Sequence, residues 1–165
     1  MNRHNPLKER PTNMQLTQLL ESHIQEMMNW FSSEKDLTDW SGPNFRYPYD
    51  LPSFTEDLKL SSLRSFSLVS NKAEFLAFGQ YYQRLDKCHL GRLIVNPEFR
   101  GKGIAAELMR QLCQQGINEL NVTACSLFVL AHNEYAIQAY KKFGFSFADY
   151  PDEISLAHCL YMVKE

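Results

Sequence analysis

The residues from Leu93 to Ala105, LIVNPEFRGKGIA, carry the densest chemistry in the chain. An apolar run ending at Asn96-Pro97 reads as a strand. The pattern Ile104, Ala105, Leu108, Met109, Leu112 that follows Gly103 reads as a helix. Gly101 and Gly103 between them make a tight turn, which leaves the first backbone N–H groups of the helix unpartnered and aimed at one spot that favours an anion. With no Cβ at either glycine a phosphate can reach the backbone, and Arg100 and Lys102 add positive charge at the rim. The bland alternative is a tight turn flanked by two solvated cations. Other phosphate loops fit worse: Gly101-Lys102 is not followed by Ser or Thr as in a P-loop, and Ala106 stands where a dinucleotide fingerprint has its third glycine.

A second cluster lies downstream in Asn133 to Phe145, NEYAIQAYKKFGF. Taken alone, Asn133 is a helix N-cap and Tyr140 a core aromatic, because Ala136, Ile137, Tyr140 and Phe143 share one helical face. Taken with Arg100-x-x-Gly103-x-Ala105, one strand apart and in the same order, they give another reading. The chain from about Met14 to its end, most strongly from Leu90 to Phe145, resembles the GNAT family of acyl-CoA-dependent N-acetyltransferases.

That resemblance implies an α/β fold with a mixed, mostly antiparallel central sheet flanked by helices. It implies acetyl-CoA as co-substrate and no metal. The backbone at Gly101, Lys102, Gly103, Ile104 and Ala105, with Arg100, would hold the pyrophosphate, and Leu93, Ile94 and Val95 would face the pantetheine arm. Asn133 would contact the cofactor, and Tyr140 would lie near the thioester sulfur. An amine attacks the thioester and coenzyme A leaves as a thiolate whose conjugate acid has a pKa of about 8.5, so a phenol with pKa near ~10 can return the proton. The N–H of Val95 could polarise the carbonyl.

The attacking amine must be neutral, and a lysine-type ammonium of pKa ~10.4 needs a base or a dry pocket. Some relatives carry a glutamate on the fifth strand, where Phe128 stands here; others carry one on the fourth, where His89 stands. His89 can accept a proton near neutral pH, although a lone strand histidine is more often a hydrogen-bonded structural residue. Glu74 and Asp86 are further candidates, each equally readable as a solvated carboxylate. Trp40, Phe45 and Tyr47 fall where the family builds its acceptor wall and could bind an amine by cation–π contact, or simply lid the core.

These residues need a frame. The chain has 165 residues, 44% of them hydrophobic, enough to bury one core. Residues 1–13, polar with two prolines, read as a flexible lead-in to a single domain over 14–165. A short strand near Met14 leads to a helix over Glu21–Phe31. Ser32–Phe54, broken by Gly42, Pro43, Pro48 and Pro52, reads as an ordered loop without regular elements. A hairpin over Ser65–Ser70 and Glu74–Tyr82, a strand over Cys88–Val95 and the helix Lys102–Leu120 follow. A β-rich run Cys125–Leu130, a helix Asn133–Phe143 stopped by Gly144, and two apolar stretches, Phe145–Tyr150 and Cys159–Val163, close the chain.

A formal charge of −2 argues against a general nucleic-acid binder. No run approaches the length of a membrane span and no signal core is visible, so a cytoplasmic location is expected, with a homodimer compatible. Cys88, Cys113, Cys125 and Cys159 are too widely spaced for a C-x-x-C pair and read as packing residues. The leading function is acetyl transfer from acetyl-CoA to a primary amine, on a small molecule or a protein. The alternative is a non-catalytic acyl-CoA sensor, and a nucleotide-binding regulator lacks the motifs.

Overall fold

The computed structural model describes residues 8–165. Most of the expected lead-in therefore lies outside the described residues; at its described end the Lys8 ammonium pairs with Glu98 at 2.8 Å. Seven strands form one sheet in the order β1-β2-β3-β4-β5-β7-β6. They are β1 Gln15–Gln18, β2 Arg64–Val69, β3 Phe75–Arg84, β4 Lys87–Val95, β5 Cys125–Leu130, β6 Ser146–Phe147 and β7 Cys159–Lys164. Every neighbouring pair is antiparallel except β4 with β5. The crossover between those two is α4, Ile104–Leu120, as a parallel connection requires.

The buried side chains gather in two clusters. Ala77, Tyr81, Leu90 and Leu127 face α4 and α5 (Glu134–Phe143) in one cluster. Phe75 and Phe78 face α1 (Glu21–Met27), α2 (Glu34–Ser41) and α3 (Leu51–Asp57) in the other. Helix α4 sits close to the sheet because it and β3 carry glycines at the contact: a Cβ on Gly79 would lie 2.5 Å from Leu112 Cδ1, and one on Gly116 2.3 Å from Cys88 Sγ.

One expectation needs correction. Ser32–Phe54 is not free of regular structure, since it holds α2 and the start of α3. The prolines fall between helices or in a first turn, where a missing N–H costs nothing. The Ser33 hydroxyl accepts from the Asp36 N–H at 3.1 Å to start α2, and Gly42, at φ +73°, ends it. Asp50 accepts from the Ser53 N–H at 2.9 Å to start α3. The stretch Phe145–Tyr150 forms a strand only over Ser146–Phe147 and then leaves the sheet. That departure carries Tyr150 onto the face shared with Tyr82 and Phe128.

The helical layer is anchored by Asp57, a buried carboxylate that accepts from the Arg46 backbone N–H at 3.0 Å, from Nε at 3.2 Å and from Nη2 at 3.0 Å. These bonds hold its pKa below the ordinary carboxylate value. The stabilisation is present above the unfolded carboxylate's pKa of ~3.9 and is lost as pH falls through the lower folded value. Asp57→Asn is expected to cost about 1.5–3 kcal/mol at neutral pH. It should also flatten the loss of stability in acid, as urea melts across pH would show.

Candidate active site

The site begins with an irregularity in the sheet. Phe78 pairs with Ile94 but Gln80 pairs with Gly91, so β4 holds one residue more than β3 at this point. The bulge includes Arg92, at φ +50°. Bulges bend a strand and end its pairing, and here the β4–β5 ladder covers only Cys88–Leu90 against Cys125–Leu127. Beyond it the strands splay. The bulge is pinned from the helical layer: Trp40 Nε1 donates to the Arg92 carbonyl at 2.8 Å. Arg92 Nη1 donates to the carbonyls of Asp57 and Leu58 and to Gln80 Oε1, each at 3.2 Å.

The splay opens a cleft of about 1050 Å³. Leu93, Ile94, Arg100, Asn133 and Tyr140 line it, as does Trp40. Sequence reasoning placed all six at the cofactor or acceptor, and the fold brings them to one cavity. Arg100 leads from the cleft into the turn before α4. Gly101 and Gly103 have φ of +76° and +74°, values that residues with a Cβ adopt at a cost. A Cβ on Gly101 would meet nothing within 4 Å, and one on Gly103 only Arg10 Nη2 at 4.0 Å. Among the described residues no protein acceptor takes the N–H groups of Gly101, Lys102, Gly103, Ile104 or Ala105. Open space, unspent donors and an exposed Arg100 side chain fit a pyrophosphate. The Ile104 side chain is 1% exposed and packs in the core, so only its backbone can serve. Val95, on β4, is partly buried against the α4 cluster.

Tyr140 stands on α5 with its ring edge-on to Phe145 at 6.3 Å. Its hydroxyl makes no hydrogen bond among the described residues, and burial pushes its pKa up to about 12. Asn133 caps α5, its side chain accepting from the Ala136 N–H at 3.2 Å.

The other sequence candidates are placed less favourably. His89 is 3% exposed, its Nδ1 is 2.8 Å from the Ser126 hydroxyl, and its ring lies against Phe128 and Tyr82. Burial, then the charge of Arg84, lowers its pKa to about 3. Phe45 is packed in the helical core against Trp40 and Phe54, away from the cleft lining. Tyr47 is 46% exposed, packs on Tyr49 and also lies outside the lining. Glu74 accepts from Ser70 at the β2–β3 turn, and Asp86 lies in the β3–β4 turn; neither lines the cleft. Cys88, Cys113 and Cys125 are buried and all four cysteines are free thiols. No group of three or more metal-ligating side chains gathers among the described residues. No described helix is long and apolar enough to cross a membrane.

Sequence reasoning missed Arg84, Arg92 and Tyr150, which also line the cleft. The period-two pattern Tyr82, Arg84 put Arg84 on that face of β3, but nothing local announced that Tyr150 would come to meet it.

This architecture is that of an acyltransferase, and the profile of the acetyltransferase (GNAT) family matches residues 24–145. The chain belongs to that family. It is 38% identical over 55 residues to spermidine N(1)-acetyltransferase of Escherichia coli K12, a match covering 33% of this chain and 30% of that protein. The fold superposes on the spermidine N-acetyltransferase of Vibrio cholerae solved with CoA and spermine, at a TM-score of 0.68 and 16% identity, covering 91% of this chain and 94% of that one. It also matches the Vibrio cholerae spermidine/spermine N-acetyltransferase solved with manganese ions, at a TM-score of 0.64 and 16% identity, over 91% of each chain.

Proposed function

We propose that this protein is an N-acetyltransferase that takes the acetyl group of acetyl-CoA and delivers it to a primary amine by direct attack, with both substrates bound in the splay. The observation that carries the reading is the conjunction of the unspent N–H groups at Gly101–Ala105, adjoining the cleft-lining Arg100, with a protonated Tyr140 hydroxyl that has no partner among the described residues and lines the same cleft as Arg100. Acetyl-CoA supplies the activated acyl group as a thioester. The backbone of Gly101–Ala105 and the Arg100 guanidinium hold its pyrophosphate, while Leu93 and Ile94 line the path of the arm. Tyr140 keeps its proton until a thiolate departs. With a pKa of about 12 the hydroxyl stays protonated before the step; it passes its proton to the thiolate as the C–S bond breaks, and the resulting tyrosinate, a stronger base than the thiolate, takes up the proton that the acetylated nitrogen loses, so that amine and thioester become amide and thiol.

His89 we assign to positioning. A ring whose conjugate acid has a pKa of about 3 draws little from an ammonium, and its Nδ1 is already engaged with Ser126. Its part is to hold the rings of Tyr82 and Phe128 apart. Trp40 keeps a place in the acceptor wall, while Phe45 supports it from behind. We place the enzyme in the cytoplasm, in keeping with its four free thiols. A screen of CoA-thiol release from acetyl-CoA against panels of amines and peptides tests the function. Release with at least one amine is expected; tight acetyl-CoA binding without release from any would instead mark a sensor.

A further inference from the structure

Three arginines line the cleft: Arg100 is assigned to the acetyl donor, Arg92 spends Nη1 on the Asp57 and Leu58 carbonyls and Gln80 Oε1, and Arg84 is used by neither the mechanism nor the packing of the bulge. Arg84 lies at the end of β3, on the face that carries Tyr82, His89 and Phe128. Its Nε donates to the Tyr82 hydroxyl at 2.9 Å and its Nη1 to the Tyr150 hydroxyl at 2.7 Å. Its guanidinium carbon stands 5.1 Å from the Phe128 ring centroid, 5.4 Å from that of Tyr82 and 6.0 Å from that of Tyr150. The head group is thus fixed by two hydroxyls and enclosed by three rings.

Fixing has not neutralised it. Arg46, Arg64 and Arg110 each pair with a carboxylate. Arg84 pairs with none among the described residues, and of a guanidinium's five N–H groups it uses two. Three donors and a full charge remain, in a cleft wall whose aromatic surroundings lower the local dielectric and strengthen any bond to an anion. Phenol hydroxyls leave the charge intact.

We propose that Arg84 is an anion receptor in the acceptor site, and that the amine this enzyme acetylates carries a carboxylate. The inference rests on the N-acetyltransferase reading and narrows it. A planar carboxylate matches the remaining fork of donors bidentately, and the fixed guanidinium would orient the amine along the cleft toward the side where Tyr140 lies. A polyamine fits this end poorly, because its cations would face an uncompensated guanidinium. The carboxylates that line the cleft do not cancel it: Asp39 is engaged by Lys35 and His132, and Asp36 accepts from Ser32. Glu153 lines the cleft as well and lies in the segment after Tyr150. None of the three pairs with Arg84.

The test uses matched acceptors that differ by one carboxylate: phenylalanine with phenethylamine, leucine with isopentylamine, and the dipeptides Asp-Ala with Asn-Ala, beside spermidine. With the wild-type protein, kcat/KM from CoA-thiol release is expected to favour the carboxylate member of at least one pair by roughly 10–100-fold. The free amino acids and the dipeptides distinguish a small-molecule source from a peptide one. Arg84→Ala should raise KM for the preferred acceptor by a similar factor with the KM for acetyl-CoA unchanged, and Arg84→Lys should restore part of it. Calorimetric binding of the preferred acceptor in the presence of CoA, where no transfer can occur, should be lost in Arg84→Ala in the same proportion. Spermidine preferred, or equal rates within every pair, overturns the inference while leaving the N-acetyltransferase reading in place. No thiol release with any amine, alongside measurable acetyl-CoA binding, overturns both. The wild-type comparison decides even if the Arg84 variants fold poorly.

Discussion

Tyr140→Phe is expected to lower the single-turnover rate of acetyl transfer by about 10²–10⁴-fold while leaving acetyl-CoA affinity and the melting temperature close to wild type. The ring stays, and with it the packing on Phe145. Only a hydroxyl without a protein partner is removed, so no buried donor is orphaned and the fold has little to lose. What disappears is the proton that the departing thiolate takes up. Single-turnover conditions matter because slow product release would mask a slower chemical step. A wild-type rate in Tyr140→Phe would leave Tyr140 a packing residue and assign the proton to water.

The second large effect is expected at the turn before α4. Gly103→Val should weaken acetyl-CoA binding by roughly 100-fold or more, through loss of two or more charge-assisted bonds. The protein around Gly103 offers a Cβ no clash, with Arg10 Nη2 at 4.0 Å as its nearest neighbour. The side chain would therefore grow into the space that the unspent N–H groups face. Holding a β-branched residue at φ +74° adds a folding cost of about 1–2 kcal/mol. Calorimetry on the folded variant separates the two: a lower melting temperature with unchanged affinity would remove the pyrophosphate from this turn.

The turn proposed for the cofactor was legible because its chemistry is local. A strand, two glycines and a helix within thirteen residues set both the backbone conformation and the charge, and Gly101 and Gly103 take the positive φ their type allows. The helices α2 and α3 were hidden because the prolines that argued against them lie where a helix tolerates proline. The start signals, Ser33 with Asp36 and Asp50 with Ser53, are short and sit among aromatics that obscure any apolar period. The acceptor half was least legible. Arg84 and Tyr150 are 66 residues apart and meet only because β6 is two residues long and releases the chain early. His89 shows the reverse difficulty: its type suggests a base, but the pairing of His89 with Ser126 across the β4–β5 ladder fixes its partner and its burial.

The three-rung ladder between β4 and β5 also bears on how long the protein persists in a cell. Its C-terminal part, β5, α5, β6 and β7, joins the rest of the sheet through those rungs, the His89–Ser126 and Arg84–Tyr150 hydrogen bonds and the packing of α4 and α5, so few backbone bonds hold the seam. A ligand lodged across the seam binds only when the two parts are together. At a hundredfold excess over its dissociation constant it adds about 2.7 kcal/mol to stability. Degradation that samples the parted state then slows by about a hundredfold. On the proposed function that ligand is acetyl-CoA, so proteolysis is expected to be slower with saturating acetyl-CoA than without it, which a protease time course would check.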